Sequence, residues 1–462
     1  MMPDSKDHKL PLSFRSEETD RIFSWLRAGD SCQVIGIGSV GKSNFLRFLQ
    51  QKQVRRAKLA EEWDRFLFVY VDANKLLETS EAGLWELMLH QVLVELSGHG
   101  IGNETFQEID DLYQRAIAPA TRHVALRYLD RAVSILCNQL DLKLVFLFDE
   151  FDELYRTLPA AVFKALRALR DDHKYNLMYV LATRMELRQI QRVDDVHEAF
   201  EKLVTPNLLW LFVYSDQDAR YMLRRLAARY HFNSGSKQIR TVLTVTGGHP
   251  GLIRSVFPLL QSSTDNFMET LLADRHVQEE INWIWQSLSD EEQRALSFLV
   301  HGGHSQTLDG VLAQLQQKGL VGGKWAESNQ IFSPLLEKYI FQERPFVVAR
   351  VRIDRHKHIV WVDNRAIENI PVLEFKFLEY LDRHRGQVCR RDQIARYLYP
   401  DQKLAGVSTN AIDSIVKRLR KLLELNPKKP VFIITVHGVG FRLADGESVN
   451  TFEKPEQRQE YA

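Results

Sequence analysis

Residues 36–43 read GIGSVGKS, in which Gly36, Gly41, Lys42 and Ser43 match the spacing G-x-x-x-x-G-K-[ST]. Glycines at Gly36, Gly38 and Gly41 let a backbone curl until its N–H groups surround an anion. Lys42 then brings a point charge to β- and γ-phosphates, and the Ser43 hydroxyl is a hard oxygen ligand for Mg²⁺, with Asn44 beside it. The apolar run QVIGI (33–37) leads into the loop and the amphipathic stretch SNFLRFLQQ leaves it, the strand–loop–helix setting that such an anion site needs. A second group of chemical residues closes the run LVFLFDE (144–150), where Asp149 is placed to hold Mg²⁺ and Glu150 to polarise an attacking water. An acid-rich helix start would also account for the DEFDEL run. A third group ends NLMYVLATR (176–184), where Thr183 and Arg184 sit at a strand tip within reach of a γ-phosphate. The ligand this chemistry points to is ATP or ADP with Mg²⁺.

These groups must be carried on a scaffold. From Ser31 to about Val213, short apolar runs (QVIGI, RFLFVYV, LVFLF, NLMYVLA, NLLWLF) alternate with helical patterns. Strands buried on both faces read this way, so the pattern predicts an α/β unit with a parallel sheet wrapped by helices, the acid strand neighbouring the phosphate-loop strand. The chain has 462 residues, room for about three folding units. Residues 1–30 form an approach segment, 31–213 the phosphate-loop unit and 214–287 a helical lid broken at TGGHPG (246–251). Residues 288–343 read as two helices and a hairpin, a small internal winged helix. Residues 344–445 repeat that logic on a larger scale, and 446–462 are a polar tail.

The front of the chain resembles the STAND-type ATPases, signalling relatives of the AAA+ and origin-recognition ATPases. The resemblance rests on the order phosphate loop, DE strand, strand ending in TR, lid carrying GGHP and small winged helix, over roughly residues 12–343. It implies that Arg184 senses the γ-phosphate, that Pro250 packs on adenine, and that hydrolysis is slow. His249 is either a phosphate contact or an ordinary loop histidine. The family's Gly-Arg-Glu stretch before the first strand is here LSFRSEETD, so Arg15 stands in for the arginine or that contact is missing.

At the other end, the helical pattern at 408–423 places Ile412, Val416, Leu419 and Leu423 on one stripe. Asn410, Ser414, Lys417, Arg418 and Lys421 share another face, short polar groups first and cations last. Such a helix can enter a major groove with its start near base edges and its end near phosphates. An amphipathic surface helix with a solvated basic face would read the same way in isolation. Residues 346–443 resemble the OmpR/PhoB-type winged-helix DNA-binding domain, most specifically in KRLRKLL and the wing TVHGVGFRL. The resemblance implies DNA contacts from Arg420 as well, and from Thr435, His437 and Arg442 of the wing. Two positions depart from the pattern, His437 in place of the usual wing arginine and Arg390 in place of a Ser/Thr helix cap. The phosphate-loop unit stands where that family carries a receiver domain. Within the internal winged helix, TLDGVLAQLQQKGL holds one cation, Lys318, and reads as structural.

Composition agrees with this division. Residues 344–445 hold 20 Lys and Arg against 11 Asp and Glu, within a chain whose net charge is +1. A basic block on a mildly acidic body suggests that one end meets a polyanion, and a solvated surface can carry a surplus of this size too. Three scattered cysteines, a polar N-terminus and no long apolar run are expected of a cytoplasmic protein without a membrane partner. The expected function is a nucleotide-switched DNA-binding transcription regulator that forms nucleotide-dependent homo-oligomers. A DNA-processing or replication-initiation ATPase and a stress or defence switch are the alternatives.

Overall fold

The computed structural model describes residues 10–98, 100–118, 120, 122–190, 195–232, 235–261, 266–300, 309–322, 330–343, 351–362, 365–400, 409–424, 427, 430, 432–436 and 438–444. They fall into two compact units. The first takes in the chain up to Leu288 together with the short stretches around Leu320–Val321 and Phe332. The second begins at Ser289 and includes the C-terminal domain.

The first unit is built on five parallel strands: β1 (Cys32–Ile35), β2 (Phe66–Asp72), β3 (Lys143–Asp149), β4 (Leu177–Thr183) and β5 (Leu208–Trp210). Apart from the last, they are buried along almost their whole length, because helices cover both faces and leave no polar side to alternate. The order across the sheet is β2-β3-β4-β1-β5. The acid strand is therefore not the immediate neighbour of the phosphate-loop strand, as the sequence pattern predicted. The chain crosses from β1 to the far edge, and β4 returns to fill the gap between β1 and β3. Register then brings the strand tips level: Asp72 stands beside Asp149, and Ile35 beside Thr183. Phe146, Phe148 and Tyr179 from the sheet meet Phe151, Tyr155, Phe163 and Phe200 from the covering helices in one continuous aromatic cluster.

The lid follows in helices Asp216–Arg229, Ser236–Thr246, Pro250–Val256 and Arg275–Gln286. Its break at Gly247 has φ 57°, and a Cβ there would meet Phe332 O at 2.0 Å, so only glycine fits. In the second unit, helices Asp290–Val300 and Asp309–Gln317 are joined by a third, Pro334–Glu343, where the sequence pattern gave only the end of a hairpin. Proline at its first position favours that start. The turn of the expected hairpin, residues 323–329, lies outside the described residues. Lys318 is 5% exposed, consistent with a structural segment.

The C-terminal domain opens with an antiparallel sheet, β6 (Val351–Asp354), β7 (Ile359–Val362) and β8 (Arg365–Ile367). Helices Val372–Arg383, Arg391–Leu398 and Thr409–Leu423 come next. A second sheet combines β9 (Cys389–Arg390) with the closing hairpin of β10 (Ile433–Val436) and β11 (Gly440–Leu443). The predicted stripe of Ile412, Val416, Leu419 and Leu423 is buried, with Ile415 beside it. Arg390 has no side-chain oxygen with which to cap the next helix, but Gln393 Oε1 accepts its backbone N–H at 3.0 Å and supplies half of a capping box.

Because Leu419 is fully buried in this small core, Leu419→Ala is expected to destabilise the C-terminal domain by about 2–5 kcal/mol. Urea unfolding followed through Trp361 would report the loss. A loss below 1 kcal/mol would mean that the helix does not pack as described.

Candidate functional site

The phosphate loop runs from the end of β1 to the helix Lys42–Gln50 and turns on two left-handed residues, Ser39 at φ 54° and Gly41 at φ 98°. There is little spare space around it. A Cβ on Gly36 would meet Val40 Cγ1 at 2.6 Å, and one on Gly38 would meet Trp283 O at 2.7 Å. Lys42 is buried and donates from Nζ to Gly36 O at 2.8 Å and Ile37 O at 3.4 Å. Burial pulls its pKa below the ordinary lysine value. Glu150, Asp152 and Asp149 oppose that fall, and Arg184 adds to it.

The acids come from the tip of β3. Asp149 is buried, and each of its oxygens accepts one hydrogen bond: Oδ1 from the Glu150 backbone N–H at 3.1 Å, Oδ2 from the Tyr70 hydroxyl at 2.5 Å. Glu150 adopts φ 51° and ψ 41°, a left-handed conformation uncommon for a non-glycine residue. Its carboxylate pairs with Arg184 Nη2 at 3.2 Å. Asp152, the acid of the helix start, turns both oxygens to the Arg184 backbone N–H at 2.9 and 3.1 Å. Burial raises the Asp152 pKa, and the Arg184 N–H and the Lys42 charge work against that rise. Thr183 lies at the same edge, but it is fully buried and its hydroxyl accepts from Gln33 Nε2 at 2.7 Å. It meets the loop through its carbonyl, which accepts from Gly36 N–H at 3.0 Å.

The lid reaches the same loop. His249 Nε2 lies 3.0 Å from Gly38 O, and its Nδ1 accepts from the Leu252 backbone N–H at 3.3 Å. With Nδ1 accepting, Nε2 is the donor, so the ring is neutral. Complete burial holds its pKa at about 3, partly offset by the bond to Gly38. His249 is therefore a helix cap and a tie to the loop, not a cation for phosphate. Ser287 Oγ accepts the N–H of the same Gly38 at 3.1 Å. A Cβ on Gly41 would lie 3.1 Å from Tyr214 Oη and 3.8 Å from Pro250 Cγ, so the lid proline does border the loop. Arg15 is buried, donating from Nη2 to Val40 O at 3.0 Å and Phe212 O at 2.8 Å, with its guanidinium over the Tyr214 ring at 4.9 Å.

The donor set suits a magnesium nucleotide. Ser43, Asp149 and Glu150 offer oxygen only, and among the described residues no group of three or more His, Cys, Asp or Glu side chains forms a metal cage. Mg²⁺ characteristically takes one or two protein oxygens and completes its shell with phosphate and water. Ser43 and Asn44 open the helix after the loop, and Asn44 hydrogen-bonds Tyr214. Four neighbours of the site carry no motif: Tyr70, Asp152, Tyr214 and Ser287. Of these, Asp152 stood in the DEFDEL run and Tyr70 in the apolar run RFLFVYV, neither marked there as a site residue.

In the C-terminal domain, Ser414, Lys417, Arg418 and Lys421 face outward from the helix Thr409–Leu423. Asn410 belongs to this helix, with its side chain outside the described residues, as is all of His437. Arg418 is also held at one side by the buried Glu374, Nε to Oε1 at 2.5 Å. Arg420 is different. It turns inward, donating to Ile433 O at 3.1 Å and to Thr435 Oγ1 at 2.7 Å, and burial lowers its pKa. It straps the helix to the wing, so the expected contact of Arg420 with DNA is replaced by a structural one, and Thr435 is its acceptor. Arg442 is exposed on β11.

Residues 369–443 match the family model described as "Transcriptional regulatory protein, C terminal". Residues 369–443 are a domain of that family. The sensory transduction protein RegX3 of Mycobacterium leprae is 38% identical over 93 residues, which are 20% of this chain and 46% of RegX3. The chain thus spans less than half the length of the curated relatives it matches. Over 71% of this chain and 95% of the other, the structure is similar to a Walker-type ATPase of Pyrococcus abyssi, at 15% identity and a TM-score of 0.48. The ORC2 protein of Aeropyrum pernix is similar at 16% identity and a TM-score of 0.41, over 74% and 97% of the two chains. No helix among the described residues is long and apolar enough to cross a membrane.

The neutral, buried His249 ties stability to pH. Its folded pKa of about 3 lies below the ordinary 6.5, so the unfolded chain binds more protons between those values. Its contribution is complete above pH 6.5 and falls by about 1.4 kcal/mol per unit as pH drops through that window. Unfolding measured from pH 6.5 to 5 should show this slope in the wild type and its loss in His249→Gln. Equal slopes would contradict the burial of a neutral ring.

Proposed function

We propose that this protein is a nucleotide-switched, DNA-binding transcription regulator that binds ATP with Mg²⁺ and hydrolyses it slowly. The observation that carries the reading is the pairing, in one chain, of a fully furnished phosphate loop with a transcriptional-regulator C-terminal domain. When bound, MgATP supplies the γ-phosphate whose charge distinguishes one state of the switch from the other. Lys42, already stripped of water, meets the phosphates. Ser43 and Asp149 hold the metal side, and Glu150 polarises water. Arg184 is shared: it neutralises Glu150 now, and a γ-phosphate competes for the same guanidinium. Pro250 and Tyr214 border the loop where a base and sugar would emerge.

Switching is supported by the grip of the lid on Gly38, whose N–H and C=O are held by Ser287 and His249 respectively. Any change in the loop when phosphate arrives is felt by both lid residues. On the DNA side, Lys417, Lys421 and Arg442 supply the phosphate contacts, with Arg418 beside them; Ser414 meets base edges, a role we propose for Asn410 as well. Dimerisation on tandem or inverted half-sites would raise affinity through avidity.

Lys42→Ala is expected to abolish nucleotide binding in a fluorescent-ATP titration, while the C-terminal domain stays folded and still binds DNA. Retained ATP binding would refute the site assignment. Lys417→Ala and Lys421→Ala are each expected to weaken binding to all DNA sequences and to lower the salt-dependence slope by about 1. An unchanged slope would remove that helix from the DNA interface.

A further inference from the structure

A buried hydroxyl beside the proposed metal-side acid has no part in the phosphate-site reading. Tyr70 lies on β2, the strand paired with the acid strand, and its hydroxyl points at the carboxylate proposed to hold the metal. We infer that Tyr70 is a positioning residue for Asp149, setting the orientation in which that carboxylate meets Mg²⁺. The inference rests on the phosphate-site reading and extends it to a residue that no motif marks.

The geometry follows from the sheet. Asp72 and Asp149 are register partners on adjacent parallel strands, and Tyr70 precedes Asp72 by two residues, on the same face one pleat back. From there an aspartate or serine would be too short to reach the strand tip. A tyrosine spans the gap, and its hydroxyl donates to Asp149 Oδ2 at 2.5 Å. The other oxygen, Oδ1, is taken by the Glu150 backbone N–H at 3.1 Å. Two donors fixed on different elements hold the two oxygens, so the carboxylate cannot rotate about its Cβ–Cγ bond without losing one of them. Each oxygen keeps a further lone pair for a metal ion or its bound water, since an ionised carboxylate accepts about four hydrogen bonds.

The tyrosine is itself held in place. Its ring is buried, and Arg47, from the helix that follows the phosphate loop, lies over it at 5.0 Å while reaching Asp72 at 4.0 Å. Asp72 in turn accepts from the Asn74 backbone N–H and side chain, both at 3.1 Å. The helix that carries Ser43 and the strand tip that carries Asp149 are thus joined through Arg47 and Tyr70. That link lets one arrangement serve both proposed metal-side residues. Groups that orient a metal-binding carboxylate from behind commonly cost 10–100-fold in metal affinity when removed.

The test is Tyr70→Phe, which keeps the ring and removes the hydroxyl. It is made in the full chain with thermal unfolding as a check of folding. A fluorescent ATP analogue is titrated in EDTA and then across a MgCl₂ series, in wild type, Tyr70→Phe, Asp149→Asn and the double variant. The expected result is an about tenfold rise in the Mg²⁺ concentration needed for half-maximal tightening in Tyr70→Phe. Metal-free affinity should stay unchanged, and Tyr70→Phe should add nothing further once Asp149 is Asn. An unchanged Mg²⁺ dependence in Tyr70→Phe, with a clear shift in Asp149→Asn, would overturn the role of Tyr70 and leave the phosphate-site reading standing. Equal weakening with and without metal would also overturn it, because the hydroxyl would then only support the fold. No shift in Asp149→Asn itself would sink the phosphate-site reading and this inference together.

Discussion

The first unit depends on keeping the ammonium group of Lys42 out of water. A buried amine without a partner loses its proton, and here burial does pull Lys42 in that direction. Two loop carbonyls and three carboxylates hold it against that pull. Those acids are present only because the parallel sheet brings the tips of β1, β4 and β3 to one edge. Asp152 anchors the Arg184 backbone and Tyr70 anchors Asp149, so the acids are themselves tied down. The site is a cluster of three carboxylates and two cations, Lys42 and Arg184, fixed at one edge of the sheet.

The same constraint explains why the lid is built of such specific parts. A loop with glycines at 36, 38 and 41 has little side-chain packing of its own to make it rigid. Stiffness comes from outside, through His249 and Ser287 on the Gly38 peptide and Arg15 on Val40 O. His249 does this as a neutral ring, which is why its burial is tolerated at neutral pH and costs stability in acid.

Much of this was legible in the sequence because two signals are strong. Strands buried on both faces write themselves as apolar runs, and all five runs became strands. The stripe Ile412, Val416, Leu419 and Leu423 has the 3.6-residue period of a helix and lies in the core. Other features depend on distant partners and leave no local trace. Nothing in the chain states that β4 is inserted between β1 and β3. Tyr70 reads as one more apolar strand residue until its register with Asp149 is known. Arg418 and Arg420 look alike in KRLRKLL, yet one faces outward and the other meets Ile433 O and Thr435 across the domain. Thr183 ends β4 and His249 caps a lid helix, and Gln33 and Gly38 decide what their polar atoms do.

In the proposed switch, the occupant of the phosphate loop sets how the C-terminal domain binds DNA. That dependence is tested most directly by fluorescence anisotropy of DNA fragments from beside the gene, titrated with the full chain at one fixed salt concentration because phosphate contacts dominate affinity. Each titration is run with ADP, with ATP and with a non-hydrolysable analogue. The expected result is that one fragment is preferred and that its affinity differs between ADP and the analogue, with ATP drifting toward the ADP value as it is hydrolysed. Binding that ignores both the nucleotide and the DNA sequence would contradict it and favour an ATPase that merely travels on DNA.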